Sequence, residues 1–233
     1  MKLFILIFCL GGLGVFPLAR ASFAQDSCVQ CHQNLKTSSL LEHNYSDWKN
    51  SIHAQKKVGC EACHGGNAKA ADPVKAHQGV LPSRDEKSSV YFKNVAQTCG
   101  RCHVEEYKEF KKSAHYRMLQ NTGKGPNCLT CHGSMATTVM KYQEMEKTCS
   151  LCHGKPTRAA TALSLIDTSK RSLDLYRKKL AQKWGSKIPK DSAEEEKQYG
   201  DRYRQIQQMW HSFDVAKVTE MSEALIKDLT RKP

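Results

Sequence analysis

Ten of the eleven cysteines stand in five copies of one string, Cys-x-x-Cys-His: Cys28/Cys31/His32, Cys60/Cys63/His64, Cys99/Cys102/His103, Cys128/Cys131/His132 and Cys149/Cys152/His153. The eleventh, Cys9, lies in an N-terminal apolar stretch, so no pair is left for the disulfides that exported chains favour. Two cysteines three apart share one face of a helical turn, and the histidine follows directly. This string reads as a c-type haem attachment site, in which two thiols form thioethers with the vinyl groups and the histidine is the proximal iron ligand. Cys-x-x-Cys pairs also build tetrahedral zinc sites, but those combine two pairs, and five is odd. The expectation is five covalently bound haem c, attached through those ten cysteines, with His32, His64, His103, His132 and His153 on the metal.

Lys2 precedes an uncharged, mostly apolar run from Leu3 to Ala19, followed by Ser22-Phe23-Ala24 and a polar stretch from Gln25. That is the pattern of a secretory signal peptide cleaved after Ala24; Ala19-Arg20-Ala21 offers a second small-x-small site. The run is short for a membrane span of about 20 residues, and nothing later approaches one. The expectation is a periplasmic or otherwise exported chain with no transmembrane span once the signal is removed. The mature chain has roughly 42 residues per haem, so cofactor faces replace much of the side-chain core. Aromatic residues are accordingly only 8% of the chain.

The formal charge of +13 falls to about +11 without the signal, and ten propionates offset about −10 of it. This excludes the strongly basic surface of a nucleic-acid binder. A basic rim steering the protein toward an acidic redox partner stays compatible with the count.

Outside the motifs there are five histidines, His43, His53, His77, His115 and His211, one for each iron. Two histidines per iron give a six-coordinate centre suited to electron transfer, whereas an open position would admit a substrate. Two of the five sit in a repeat. Trp48-x-x-Ser51-x-His53 precedes Cys60-Glu-Ala-Cys63-His64-Gly65, and Phe110-x-x-Ser113-x-His115 precedes Cys128-Leu-Thr-Cys131-His132-Gly133. His53 and His115 are thus the first candidates for distal ligands, with aromatic and histidine expected on one helix. His77 lies in a loop-like stretch, His43 just ahead of the first repeat, and His211 in Met209-Trp210-His211-Ser212-Phe213, far from any motif.

Beyond the last motif the cysteines stop. Ile166, Leu173, Tyr176, Leu180 and Trp184 form one helical stripe, Gly185 and Pro189 mark a turn, and Tyr199, Tyr203, Ile206, Trp210 and Phe213 form a second. The phase slips near Asp214, and Met221, Leu225 and Leu229 belong to a continuation or to a third helix. The chain divides into a signal peptide (1–24), a pentahaem module (25–157) and a C-terminal α-helical hairpin (158–233). The fold class expected is mainly α with much irregular loop, a multihaem cytochrome c core with little or no β-sheet.

The repeated Ser-x-His and Cys-x-x-Cys-His-Gly layout from Cys28 to Gly154 resembles the cytochrome c-554 group. It is also similar to the haem cores of hydroxylamine oxidoreductase, octahaem tetrathionate reductase and pentahaem cytochrome c nitrite reductase. The resemblance implies closely stacked haem pairs, with His53 and His115 as upstream distal ligands and His77 as the downstream loop ligand. It departs from the nitrite reductases in having no Cys-x-x-Cys-Lys. The expectation is therefore an electron carrier serving redox protein partners: periplasmic or membrane cytochromes, a quinol dehydrogenase or a terminal reductase. The alternative is a small oxidoreductase with one open haem, acting on nitrogen or sulfur oxyanions, NO or hydroxylamine. The C-terminal helices offer a possible oligomer contact.

Overall fold

A computed structural model describes residues 26–34, 45–137 and 142–231. The expected signal peptide and His43 lie outside the described residues. Among those described there are thirteen helices and no strand, which bears out the mainly α class. Ten are short: α1 (Ser27–His32), α2 (Tyr45–Asn50), α3 (Ile52–Gln55), α4 (Glu61–His64), α5 (Pro73–Ala76), α6 (Val95–Gly100), α7 (Val104–Phe110), α8 (Ala114–Thr122), α9 (Cys128–His132) and α10 (Tyr142–His153). Three are long: α11 (Thr157–Trp184), α12 (Lys190–Trp210) and α13 (Val215–Thr230).

The short helices begin and end where local chemistry dictates. The buried serines of the repeat are N-caps. Ser51 Oγ accepts from Ala54 N at 3.2 Å, and Ser113 Oγ accepts from Tyr116 N at 3.0 Å, each satisfying an orphan donor of the first turn. The aromatic and the histidine therefore do not share a helix, contrary to the expectation. Trp48 belongs to α2 and His53 to α3, and Phe110 closes α7 while His115 lies in α8. The serine breaks the chain between them and sets the histidine in the new first turn. Behind it, Trp48 and Phe110 are both buried, with the Trp48 indole donating to Val58 O at 3.2 Å. The motif helices α4 and α9 stop at Gly65 and Gly133, whose φ of 75° and 78° suit a residue without Cβ.

The C-terminal region is a three-helix bundle where a hairpin was expected. The second stripe ends at Trp210, the chain turns through residues 211–214, and Asp214 caps α13 by accepting from Lys217 N at 3.0 Å. The phase slip near Asp214 is this turn. Leu173, Tyr176, Tyr199, Ile206, Trp210, Val218, Leu225 and Leu229 are all buried in one cluster. Ser169 and Ser222 are fully buried between α11 and α13, where small side chains let two helices approach. Arg202 pairs with Asp228 at 2.8 Å, and Tyr176 donates to Glu195 at 2.8 Å, fixing the register of the three helices. Met145 of α10, with Cys131 and Cys149, packs on the same cluster, so the bundle is seated directly on the last two motifs.

Candidate haem sites

Four histidine pairs come together, each joining a motif histidine to one outside the motifs. Ring centroids are 6.1 Å apart for His32 and His77, 6.1 Å for His53 and His103, 5.7 Å for His115 and His153, and 6.2 Å for His132 and His211. An imidazole nitrogen about 2 Å from a first-row metal puts its ring centroid about 3 Å away, so two imidazoles on opposite sides of one metal have centroids about 6 Å apart. The side chains are thus spaced to hold an iron between them. A tetrahedral zinc site would need donors converging in larger groups, and no group of three or more His, Cys, Asp or Glu converges among the described residues.

Hydrogen bonds present the correct nitrogen. His77 Nδ1 lies 2.8 Å from Pro73 O and His211 Nδ1 lies 3.0 Å from Gln207 O. A carbonyl can only accept, so Nδ1 carries the proton in both and Nε2 is left bare for a metal. His53 Nδ1 meets Thr137 Oγ1 at 2.7 Å. Such outer partners orient ligand histidines and raise their basicity. Burial lowers the pKa of His53, His115 and His211, and the neighbouring motif histidine adds to the effect in each case.

The pairing follows the duplication in part. His53 precedes the second motif but meets His103 of the third; His115 precedes the fourth but meets His153 of the fifth. Each repeat ligand skips the motif that follows it. His77 and His211 reach backward, to the first and fourth motifs. His77 sits at the C-terminal end of α5, capped by Asp72, and Gly66 lets the chain after the second motif approach the Ala76 carbonyl, where a Cβ would stand 2.5 Å away. His211 reaches His132 because the turn between α12 and α13 faces α9. The remaining motif histidine, His64, closes α4.

The motif sulfurs form a row in chain order. The Cys60 thiol is pushed up to about 11 by burial and then by Cys28, and Cys63, open to solvent on one side, is raised by the protein packed on its other side and then by Cys99. Cys99 and Cys128 share a hydrogen bond that lowers the first and raises the second. Cys131 is pushed up to about 11 by burial and then by Cys149. Each motif therefore adjoins the next.

The two cysteines of a motif, which the sequence treats alike, differ in their surroundings. Cys28, Cys60, Cys99, Cys128, Cys131 and Cys149 are half-buried. Cys31, Cys63, Cys102 and Cys152 are exposed. The reason is local. Cys31 lies at the penultimate position of α1 and Cys102 just beyond the end of α6, where a short helix stops and protein side chains give the sulfur little cover. The assignment of Cys31 and Cys102 to haem therefore rests on their motifs and not on a protein-lined pocket. Large apolar side chains likewise stay uncovered by protein: Leu151 within the fifth motif and Val74 in α5, the helix that ends at His77, are each 81% exposed, surface an apolar macrocycle could cover.

Five Cys-x-x-Cys-His motifs, a helical fold with no strand among the described residues and facing histidine pairs are the features of a multihaem c-type cytochrome. Comparison with curated proteins supports that class. The chain is 27% identical over 143 residues to the C-type polyheme cytochrome OmcC of Geobacter sulfurreducens, a match covering 61% of this chain and 16% of that protein. It is likewise 27% identical over 143 residues to the C-type polyheme cytochrome OmcB of the same organism, covering 57% of this chain and 17% of that one. The match thus takes in only about a sixth of these relatives. No protein-family model matches the chain, and no solved structure does.

Proposed function

We propose that the protein is an exported pentahaem electron carrier, related to the cytochrome c-554 and hydroxylamine oxidoreductase group, that relays electrons between redox proteins. The carrying observation is the set of four facing histidine pairs, because two imidazoles on each iron leave no first-sphere position for a substrate. A bound haem supplies one-electron chemistry at an iron whose ligands stay in place. The chain does the rest. Its cysteines, the exposed Cys31 and Cys102 included, fix five sites side by side from Cys28 to Cys152, and the caps at Ser51, Asp72 and Ser113 hold histidines against them. In this reading His43 completes the site of His64. An electron accepted at one end of the row is given up at the other with no bond made or broken.

Among the described residues no helix is long and apolar enough to cross a membrane, which accords with a carrier working beside membrane or periplasmic partners after signal cleavage. The test is voltammetry of the holoprotein. Five reversible one-electron waves per chain, unaltered by nitrite, hydroxylamine, NO or tetrathionate, are expected. A catalytic current with any of these would replace the carrier by the oxidoreductase reading and would point to the His64 site.

A further inference from the structure

We propose that Phe213 is a positioning residue for the pair His115 and His153: it denies His115 a hydrogen-bond acceptor and so makes the site of Cys149 and Cys152 the most readily reduced of the four described pairs. The inference rests on the carrier reading above.

Three of the four distal rings have an oxygen partner at Nδ1, namely Pro73 O for His77, Gln207 O for His211 and Thr137 Oγ1 for His53. His115 breaks the pattern. Its Nδ1 is buried and has no acceptor among the described residues. Beside that ring stands Phe213, with centroids 4.3 Å apart and planes at 88°. An aromatic ring gives an N–H at most a weak contact. A ligand imidazole without an acceptor is less basic than one with it, so it stabilises the oxidised iron less and favours reduction. Second-shell hydrogen bonding is a known lever on the potential of such a centre.

The ring is held there at a conformational cost. Phe213 has φ of +58°, a region bulky residues rarely occupy. The backbone is pinned on both sides, with Phe213 N donating to Trp210 O and Phe213 O accepting from Val215 N, each at 3.0 Å. The ring packs among Phe110 and Trp210, with centroids at 6.4 and 5.8 Å. By sequence Phe213 continues the bundle stripe; in the structure it has left the bundle and covers a ligand. Strain that the surroundings over-determine is characteristic of functional positions.

The experiment is a potentiometric titration of the holoprotein followed by electron paramagnetic resonance, with His115→Ala used to identify the signal of this site by its conversion to high spin. In the native protein that signal should be the first of the four to vanish on reduction, and Phe213→Leu, which keeps the apolar cover, should leave it so. Phe213→Asn and Phe213→Gly both tolerate left-handed backbone and admit an amide or water to Nδ1. Each should make this site about tenfold harder to reduce relative to the others, a shift of about 59 mV for one electron, with the other signals unmoved. Equal potentials in all variants, a Leu shift as large as the Asn shift, or a uniform shift of every site would overturn the proposal. A haem-to-protein ratio below five in the native protein would instead overturn the carrier reading beneath it.

Discussion

The region from Ser27 to His153 and the bundle from Thr157 to Thr230 are both helical, yet they are built on opposite principles. The bundle buries a continuous cluster from Ala162 to Leu229, joined by Met145 of α10, and this core is built of side chains. Among the described residues the motif region has ten helices of at most 12 residues, no longer than the length at which isolated helices become marginally stable, about 12–15 residues. Its own buried cluster among the described residues joins Ala96, Phe110 and Leu119. So small a side-chain cluster leaves the motif region dependent on the covalently bound haem proposed for it. The two regions meet where the turn between α12 and α13 delivers His211 and Phe213 to the fourth and fifth sites.

The sharpest way to break this contrast is to withhold haem. Chain expressed without haem attachment should lose most of the helix in the motif region while α11 to α13 survive as a protease-resistant fragment, seen by limited proteolysis and circular dichroism. An intact motif region without haem would show that the contrast is false. A smaller effect comes from the junction. His211→Ala and His77→Ala should each turn one haem high-spin, but only His211→Ala should also loosen the bundle's seat on α9, seen as faster hydrogen exchange at the end of α12.

Within the bundle, Leu173→Ala or Leu225→Ala should cost about 2–5 kcal/mol in denaturant unfolding followed by circular dichroism, and leave the low-spin spectrum intact under native conditions. Within the motif region, Ser51→Ala or Ser113→Ala removes one cap worth about 1 kcal/mol. Its signature should be a change in the low-spin signal of the His53 or His115 site alone.

The smallest effect is alkaline. Burial, and then the hydrogen bond to Glu195, raise the Tyr176 phenol above its ordinary value of 10.0. The folded bundle therefore keeps a proton that the unfolded chain loses, so this contribution is present below pH 10 and is lost as pH rises beyond it. Denaturation at pH 9 and pH 11 should show the loss, and Tyr176→Phe should abolish the difference.

What was legible in the sequence was local. The five motifs, the Ser-x-His repeat, the two stripes and the slip at Asp214 all depend on residues a few positions apart. The ligand pairings were not legible, because His115 meets a residue 38 positions away and His211 one in α9. Nothing local marks which motif histidine a distal histidine will face, since the choice is made by the packing of elements distant in sequence. For the same reason the motif string did not show that Cys31 and Cys102 would stand exposed while Cys28 and Cys99 are half-buried. Ser51 and Ser113 were visible as a pattern, but their capping role became clear only when the helices were seen to restart there. Phe213 was read as a bundle residue because its spacing fits the stripe; its positive φ is what turns it away.

The central claim is that every iron is held between two histidines of this chain, and it is tested most directly by a spin-quantified electron paramagnetic resonance spectrum of the oxidised holoprotein. The account predicts low-spin ferric signals integrating to five per chain. A high-spin signal amounting to one haem, perturbed by nitrite or hydroxylamine, would contradict it and would mark an open site.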